Sequence, residues 1–223
     1  MALPWKVLDT VTTKDGILEL RQRGERDFLI TFGGLILMNS SARRSEEALG
    51  RLGCRGLGEK EGARVLVGGL GMACTLRAVL DSLPATAQVH VAELNPVVVE
   101  WCRGPLAPLT AGAVSDPRVT VEVGDVSAVV HRIAATAPGS LDAVIFDLYK
   151  GPHAKTDAQN DPLYGSRAIE RVAAALGKKG IFAIWGENPD AGFESRLRKA
   201  GFTVSSSRPG RGGLRHVVWL AVK

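Results

Sequence analysis

Cysteine is scarce in this chain and shows no paired pattern. Cys54, Cys74 and Cys102 are odd in number and form no Cys-x-x-Cys spacing, which argues against a disulfide framework or a zinc site. Long apolar runs are missing as well. No stretch reaches the roughly 20 apolar residues that a bilayer span needs, and no signal-peptide pattern opens the chain. The expectation is a protein of the reducing cytoplasm with no membrane partner. Aromatic residues make up only 5% of the chain, and none interleaves with Arg208, Arg211 and Arg215, the basic residues grouped in a Gly/Pro-rich turn. That turn therefore reads as solvated and not as a nucleic-acid interface, despite a net charge of +5. His, Cys and carboxylate side chains do not gather at metal-ligand spacing. No Gly-x-Ser-x-Gly elbow is present, so metalloenzyme and serine-hydrolase readings are poor.

What remains is ordinary globular composition, 45% apolar and 23% charged over 223 residues, enough for a full core. From Trp5 to Asn39 the pattern is short and β-like. The runs "WKVLDTVT", "ILELRQR", "DFLITF" and "LILMNS" are separated by Lys14-Asp15-Gly16, Gly24-Glu25 and Gly33-Gly34, all good turn chemistry. Residues 1–40 are expected to form a small antiparallel appendage, and 41–223 a larger α/β domain. Ser45, followed by Glu46 and Glu47, is expected to cap a short helix.

Beyond "GCRGLGEKEGA" the rhythm becomes strand, helix, strand. Strands are predicted at Val65–Val67, Val89–Ala92, Val119–Val123, Ala143–Phe146 and Ile181–Trp185. Helices are predicted near Ala73–Leu83, Val97–Cys102, Ser127–Ala135, Ala168–Leu176 and Phe193–Ala200. Such alternation implies a parallel sheet covered on both faces. "FTVSSS" and "RHVVWLAV" are joined too tightly for a crossover helix and must pair antiparallel at one edge.

Ligands of open α/β sheets lie beyond the carboxyl ends of the strands. After the first strand comes Gly68-Gly69-Leu70-Gly71-Met72, a turn whose backbone can approach a nucleoside-bearing ligand. Glu93 ends the second strand, 22 positions beyond Gly71, a spacing suited to gripping ribose hydroxyls. Gly124-Asp125-Val126 follows the third strand; Asp125 either accepts from an adenine amino group or caps the next helix. Asp147 follows the fourth, either receiving a proton from an attacking amine or fixing loop backbone. The rest of "DLYKGPH" offers Tyr149, to stack on substrate or pack a lid. It also offers Lys150, for an anionic acceptor or for solvent, and His153, a base or a surface residue. Tyr164 is placed at the pocket wall. Trp185 and Glu187 stand at the fifth strand end, with packing the plainer role for Trp185. A nicotinamide dinucleotide would want a third glycine where Cys74 stands.

These stretches resemble the spermidine synthase (polyamine aminopropyltransferase) family, a branch of the S-adenosylmethionine-dependent methyltransferase fold. The matching segments are "RVLVGGLGMACTLRAVL", "VHVAELNPVVVEWC", "DPRVTVEVGDVSAVV", "LDAVIFDLYKGPHAK" and "DPLYGSRAIERVAAALGKKGIFAIW", behind a short β-rich N-terminus. The resemblance implies a Rossmann-like, mostly parallel seven-stranded sheet with an antiparallel last strand. It also implies transfer of an aminopropyl group from decarboxylated S-adenosylmethionine to an amine. By position it assigns Gly69 and Gly71 to the thionucleoside, Glu93 to ribose, Asp125 to adenine and Asp147 to the reacting end. A homodimer through the β-appendage is expected by analogy alone.

The sequence departs from that pattern in three places. Met72 stands where the family's turn has an Asp for the aminopropyl ammonium. Lys150 stands where a second Asp accepts the amine's proton, and Leu49-Gly50 stands near a Tyr-His pair. A transferase acting on a small acceptor leads, with either S-adenosylmethionine or its decarboxylated form as donor. A small-molecule methyltransferase and a non-catalytic nucleoside-binding or assembly protein stay open as alternatives.

Overall fold

The computed structural model describes residues 3–14, 16–209 and 216–223. Asp15 of the first turn, and Arg211 and Arg215 of the basic turn, lie outside the described residues. Four strands, β1 (Lys6–Thr13), β2 (Gly16–Arg23), β3 (Asp27–Phe32) and β4 (Leu35–Asn39), form an antiparallel meander in that order. Alternation places Leu18, Leu20, Phe28 and Ile30 inward, as a half-buried sheet requires. The change of sheet at residue 40 is not a change of core, because these four side chains share one cluster with Val65, Val67 and Leu76.

Helix α1 (Arg44–Gly53) follows, and it corrects the capping expectation. Arg43 is the N-cap residue, no side chain caps the helix, and Ser45 already lies inside its first turn. The hydroxyl is drawn instead to Glu46 Oε2, 2.6 Å away. Glu46 and Glu47 do sit at the positive end of the dipole. Gly50 lets α1 lie directly on the next helix. A Cβ there would come within 2.7 Å of both Thr75 O and Ala78 Cβ, so this position cannot carry a histidine.

The second sheet has seven strands. Its parallel part is β5 (Arg64–Gly68), β6 (Gln88–Glu93), β7 (Val119–Val123), β8 (Leu141–Phe146) and β9 (Leu176–Gly186). The hairpin β10 (Thr203–Ser207) and β11 (Val217–Val222) pairs antiparallel onto β9, giving the order β10-β11-β9-β8-β5-β6-β7. From β5 the strand order runs outward to β6 and β7 on one side and to β8 and β9 on the other, so the crevice above β5 and β8 is the switch point.

Helices α1, α2 (Cys74–Asp81) and α3 (Pro96–Arg103) cover one face. Helices α4 (Val126–Thr136), α5 (Ser166–Ala175) and α6 (Ala191–Lys199) cover the other. Strand β9 starts earlier than predicted. Leu176, expected to end a helix, is already extended and pairs with Leu141.

Beneath α5 and α6 an aromatic stack fills the core. Phe146 meets Phe182 edge-on at 5.0 Å, and Phe193 meets Trp219 at 5.3 Å. The three thiols are buried, and burial pushes each up to about 12. Since the thiolate is the reactive form, a disulfide-exchange reagent at pH 8 is expected to label none of them in the folded protein. All three should react in denaturant; rapid labelling of native protein would contradict this packing.

Candidate active site

The rim formed by the C-terminal ends of β6, β5, β8 and β9 collects the strand-end residues in one row. At the β5 turn both glycines have positive φ, +84° at Gly69 and +51° at Gly71, a conformation that side chains other than glycine rarely adopt. The space of the missing side chains is taken up by the protein itself. A Cβ on Gly69 would stand 2.3 Å from Asp147 O, and one on Gly71 would stand 2.2 Å from Met38 Sδ. The turn is therefore packed under the β8 loop and strand β4 as well as facing the rim. Met72 points away from the rim. Its side chain is only 1% exposed within the core, which leaves its backbone alone to meet a ligand.

Glu93 is 7% exposed, and its carboxylate links this turn to its own strand-end loop. Oε2 accepts from Leu70 N and Oε1 from Asn95 N, each at 2.8 Å. Burial raises its pKa, and these backbone donors offset part of that rise. Asp125 is exposed and realises the capping alternative, since Oδ1 accepts from Ser127 N at 2.8 Å. Val126 opens α4 and is buried. Between the two acids stand apolar side chains without cover, Leu94 at 59% exposure and Val123 at 53%. Large aliphatic groups so exposed beside a glycine turn fit the face of a flat ring.

Asp147 continues the β8 ladder by donating its N–H to Gly68 O at 2.9 Å. Its Oδ2 accepts from Thr75 Oγ1 at 2.6 Å, while the same hydroxyl lies 3.1 Å from Glu46 O. One hydroxyl proton serves both protonation states of Asp147. Thr75 donates to the carboxylate, or turns to Glu46 O when the carboxyl is protonated and donates to it. Burial, and then the Glu46 charge, push the Asp147 carboxyl up to about 7. Neither acid forms an ion pair among the described residues.

Other expected residues part company here. Tyr164 is 4% exposed, packs edge-on against Phe193, and donates to Lys150 O at 2.8 Å. It anchors the β8 loop from below, and burial raises its pKa further. Tyr149 is 48% exposed, with Lys150 Nζ 5.8 Å from its ring. His153 is exposed and its Nδ1 accepts from Lys155 N at 3.2 Å, a turn contact. Glu187 is exposed. Trp185 packs on His216, ring centroids 4.7 Å apart, and its buried Nε1 has no partner among the described residues. A cleft of about 460 Å³ lined by Arg43, Arg51 and Arg77 lies outside α1 and α2 and includes none of the rim acids.

Sequence reasoning missed Glu46, Ser45, Thr75, His216 and Met38. Two acids at the start of a helix read as dipole complements, and nothing in their spacing announces that α1 lies over the end of β8.

The Spermine/spermidine synthase domain family matches residues 47–195, from the body of α1 through α6. The chain belongs to this family. A polyamine aminopropyltransferase of Mycobacterium tuberculosis is 32% identical over 152 residues, covering 65% of this chain and 28% of the relative. The chain thus spans little more than a quarter of the relative's length. One of Mycobacterium bovis matches with the same figures. Among solved structures, a spermidine synthase from Thermotoga maritima superposes with TM-score 0.74 at 18% identity, covering 97% of this chain and 72% of that one. A probable spermidine synthase from Corynebacterium glutamicum gives 0.70 at 16%, covering 97% and 80%. A spermidine synthase in complex with the transition state analogue AdoDATO gives 0.73 at 17%, covering 97% and 72%. At such identity these structures bear on the fold, and they are of the spermidine synthase type throughout. The matching family is that of the spermine/spermidine synthases, which gives no support to the methyltransferase alternative. Among the described residues no helix is long and apolar enough to cross a membrane.

Proposed function

We propose that this spermidine synthase-family chain transfers an aminopropyl group from decarboxylated S-adenosylmethionine to an amine acceptor of the polyamine class. The observation that carries the reading is the convergence of Glu46 and Asp147. Thr75 joins Asp147 Oδ2 to the Glu46 backbone, and the Glu46 charge raises the cost of ionising Asp147, with no ion pair to either acid among the described residues. A positively charged amine entering beside Asp147 offsets that cost, which favours a cation at this end of the rim. Lys150, being exposed, need not oppose it.

The adenosine portion of the donor fits the other end of the rim. Glu93 would take the ribose hydroxyls on lone pairs left over from its backbone bonds, Leu94 and Val123 would face the adenine ring, and Asp125 would accept from its amino group. The buried Met72 offers no counter-charge from the turn. The aminopropyl ammonium must therefore look to the acids under α1, where Thr75 and Asp147 adjoin the same turn. The analogue-bound neighbour and the polyamine aminopropyltransferase relative support this choice of donor over intact S-adenosylmethionine. Residues 1–40 enter the proposal as an appendage whose Met38 closes the turn from above.

The test is calorimetric titration with decarboxylated S-adenosylmethionine and with methylthioadenosine. Glu93→Gln should weaken both ligands alike by about ten- to a hundredfold, the worth of charge-assisted hydrogen bonds to two hydroxyls. Unchanged affinity would remove Glu93 from the ribose site. Failure of the parent protein to bind either nucleoside would remove the reading altogether.

A further inference from the structure

The acid pair accounts for one end of the acceptor site. Next to it lies a second set of polar groups that the proposed transfer leaves unused. Ser45 Oγ donates to Glu46 Oε2 at 2.6 Å and stands 3.2 Å from His216 Nδ1. A serine hydroxyl has one proton, and a carboxylate oxygen only accepts. With that proton committed to Glu46, the contact to His216 must run from Nδ1–H to the serine oxygen. The ring therefore carries its hydrogen on Nδ1 and a lone pair on Nε2. Nε2 makes no hydrogen bond among the described residues.

Register places this imidazole at the reacting end. Strand pairing sets Phe146 opposite Ile184 and Trp185 opposite Val218. Side chains alternate along a strand, so Asp147, Trp185 and His216 fall on the face of Ile145, Ala183 and Val218. Those three belong to the core cluster that also holds Leu49 of α1. Trp185 holds the plane of the ring at 4.7 Å, and His216 itself is half-buried. Among the other polar groups near the mouth, Lys150 is exposed and has no acceptor, and His153 Nδ1 is used by Lys155 N. Asp147 takes up a proton only when Thr75 turns away to Glu46 O, whereas His216 Nε2 already presents a lone pair without a partner among the described residues.

We propose that His216 Nε2 is the base that takes the proton from the acceptor ammonium. Ser45 and Glu46 act as positioning residues that fix its tautomer and face the charge it acquires. The proposal rests on the reading of the site as an aminopropyl-transfer centre. The ammonium gives one proton to Nε2. The freed nitrogen lone pair then forms the N–C bond as the C–S bond breaks, its electron pair staying on sulfur to leave a neutral thioether. The imidazolium so formed lies one hydroxyl away from the Glu46 carboxylate and returns its proton to solvent after product leaves.

Two measurements on the full chain test this. The first is ¹⁵N spectra of the histidine side chains, which should show His216 protonated on Nδ1, a preference lost in Ser45→Ala. The second is turnover with decarboxylated S-adenosylmethionine and 1,4-diaminobutane. His216→Gln should lower kcat by about 10² or more, the usual worth of a general base, with KM and donor affinity changing less than about threefold. Ser45→Ala should fall between the two. A hydrogen found on Nε2, or a His216→Gln enzyme as fast as an active parent, overturns the base assignment alone. A parent that binds donor without any turnover overturns the transfer reading as well, and is distinguished by that.

Discussion

Asp147→Asn is expected to leave methylthioadenosine affinity within about threefold while turnover falls by about 10²–10³, the range for losing one preorganised electrostatic group. The attacking nitrogen becomes positively charged as its new bond forms. A carboxylate beside it stabilises that charge more in the transition state than in the neutral amine; an amide does not. The geometry favours the exchange, because asparagine retains an acceptor for Thr75, which now donates to Asp147 at 2.6 Å. Loss of methylthioadenosine binding in the variant would mean that Asp147 holds the loop and not the reaction.

The same substitution has a pH signature in stability. In the folded chain Asp147 titrates at about 7, against an ordinary value near 3.8. Its protonated form is thus favoured by folding. The corresponding stability is fully present below about pH 4 and is lost as pH rises through 7. Thermal melts of Asp147→Asn and parent should match near pH 4 and diverge in favour of the variant toward pH 8. The gap is bounded at about 4 kcal/mol by the size of the shift. Parallel melts across this range would show that Glu46 and burial do not act on the group as the packing implies.

Arg118→Ala is expected to cost about 2–4 kcal/mol, between the worth of an exposed and a fully buried ion pair. This lies far from the rim, where a single guanidinium ties the end of α2 to the start of β7. Its Nε and Nη2 make a fork on Asp116 at 2.9 and 2.8 Å, and its Nη1 donates to Leu80 O at 2.9 Å and Leu83 O at 3.1 Å. Both side chains are under one-fifth exposed. The pairing holds the Asp116 carboxyl down to about 2. Removing the arginine leaves a largely enclosed carboxylate and helix-end carbonyls without donors. Arg118→Lys should recover little, since an ammonium cannot reproduce the fork. Urea unfolding of the variants measures the loss, and a cost under about 1 kcal/mol would show these bonds to be replaced by water.

Strand positions and the antiparallel closing hairpin were legible because their signals are local. Apolar runs of five or six residues, glycine turns and short connections follow from what adjacent residues can do. Glu93 and Asp125 were legible for the same reason, as acids that end strands. Ser45 was misjudged because capping depends on where the first helical residue falls, and the helix begins at Arg44, two residues before the position a Ser45 cap would set. Which way the Met72 side chain faces was not legible, because a turn residue can face either side of the turn, and here the core claims it.

The sequence by itself determined a parallel α/β sheet behind a small β-meander, with glycines and carboxylates at the ends of successive strands, because hydrophobic period and turn chemistry act over a few residues. Only the tertiary structure decided what those ends confront. The close seat of α1 on α2 at Gly50 brings Glu46 to Asp147 through Thr75. The return of β11 beside β9 brings His216 to Ser45 across 171 residues of chain. Contacts between such distant segments are set by how whole helices and strands pack, and no pattern within either segment encodes them.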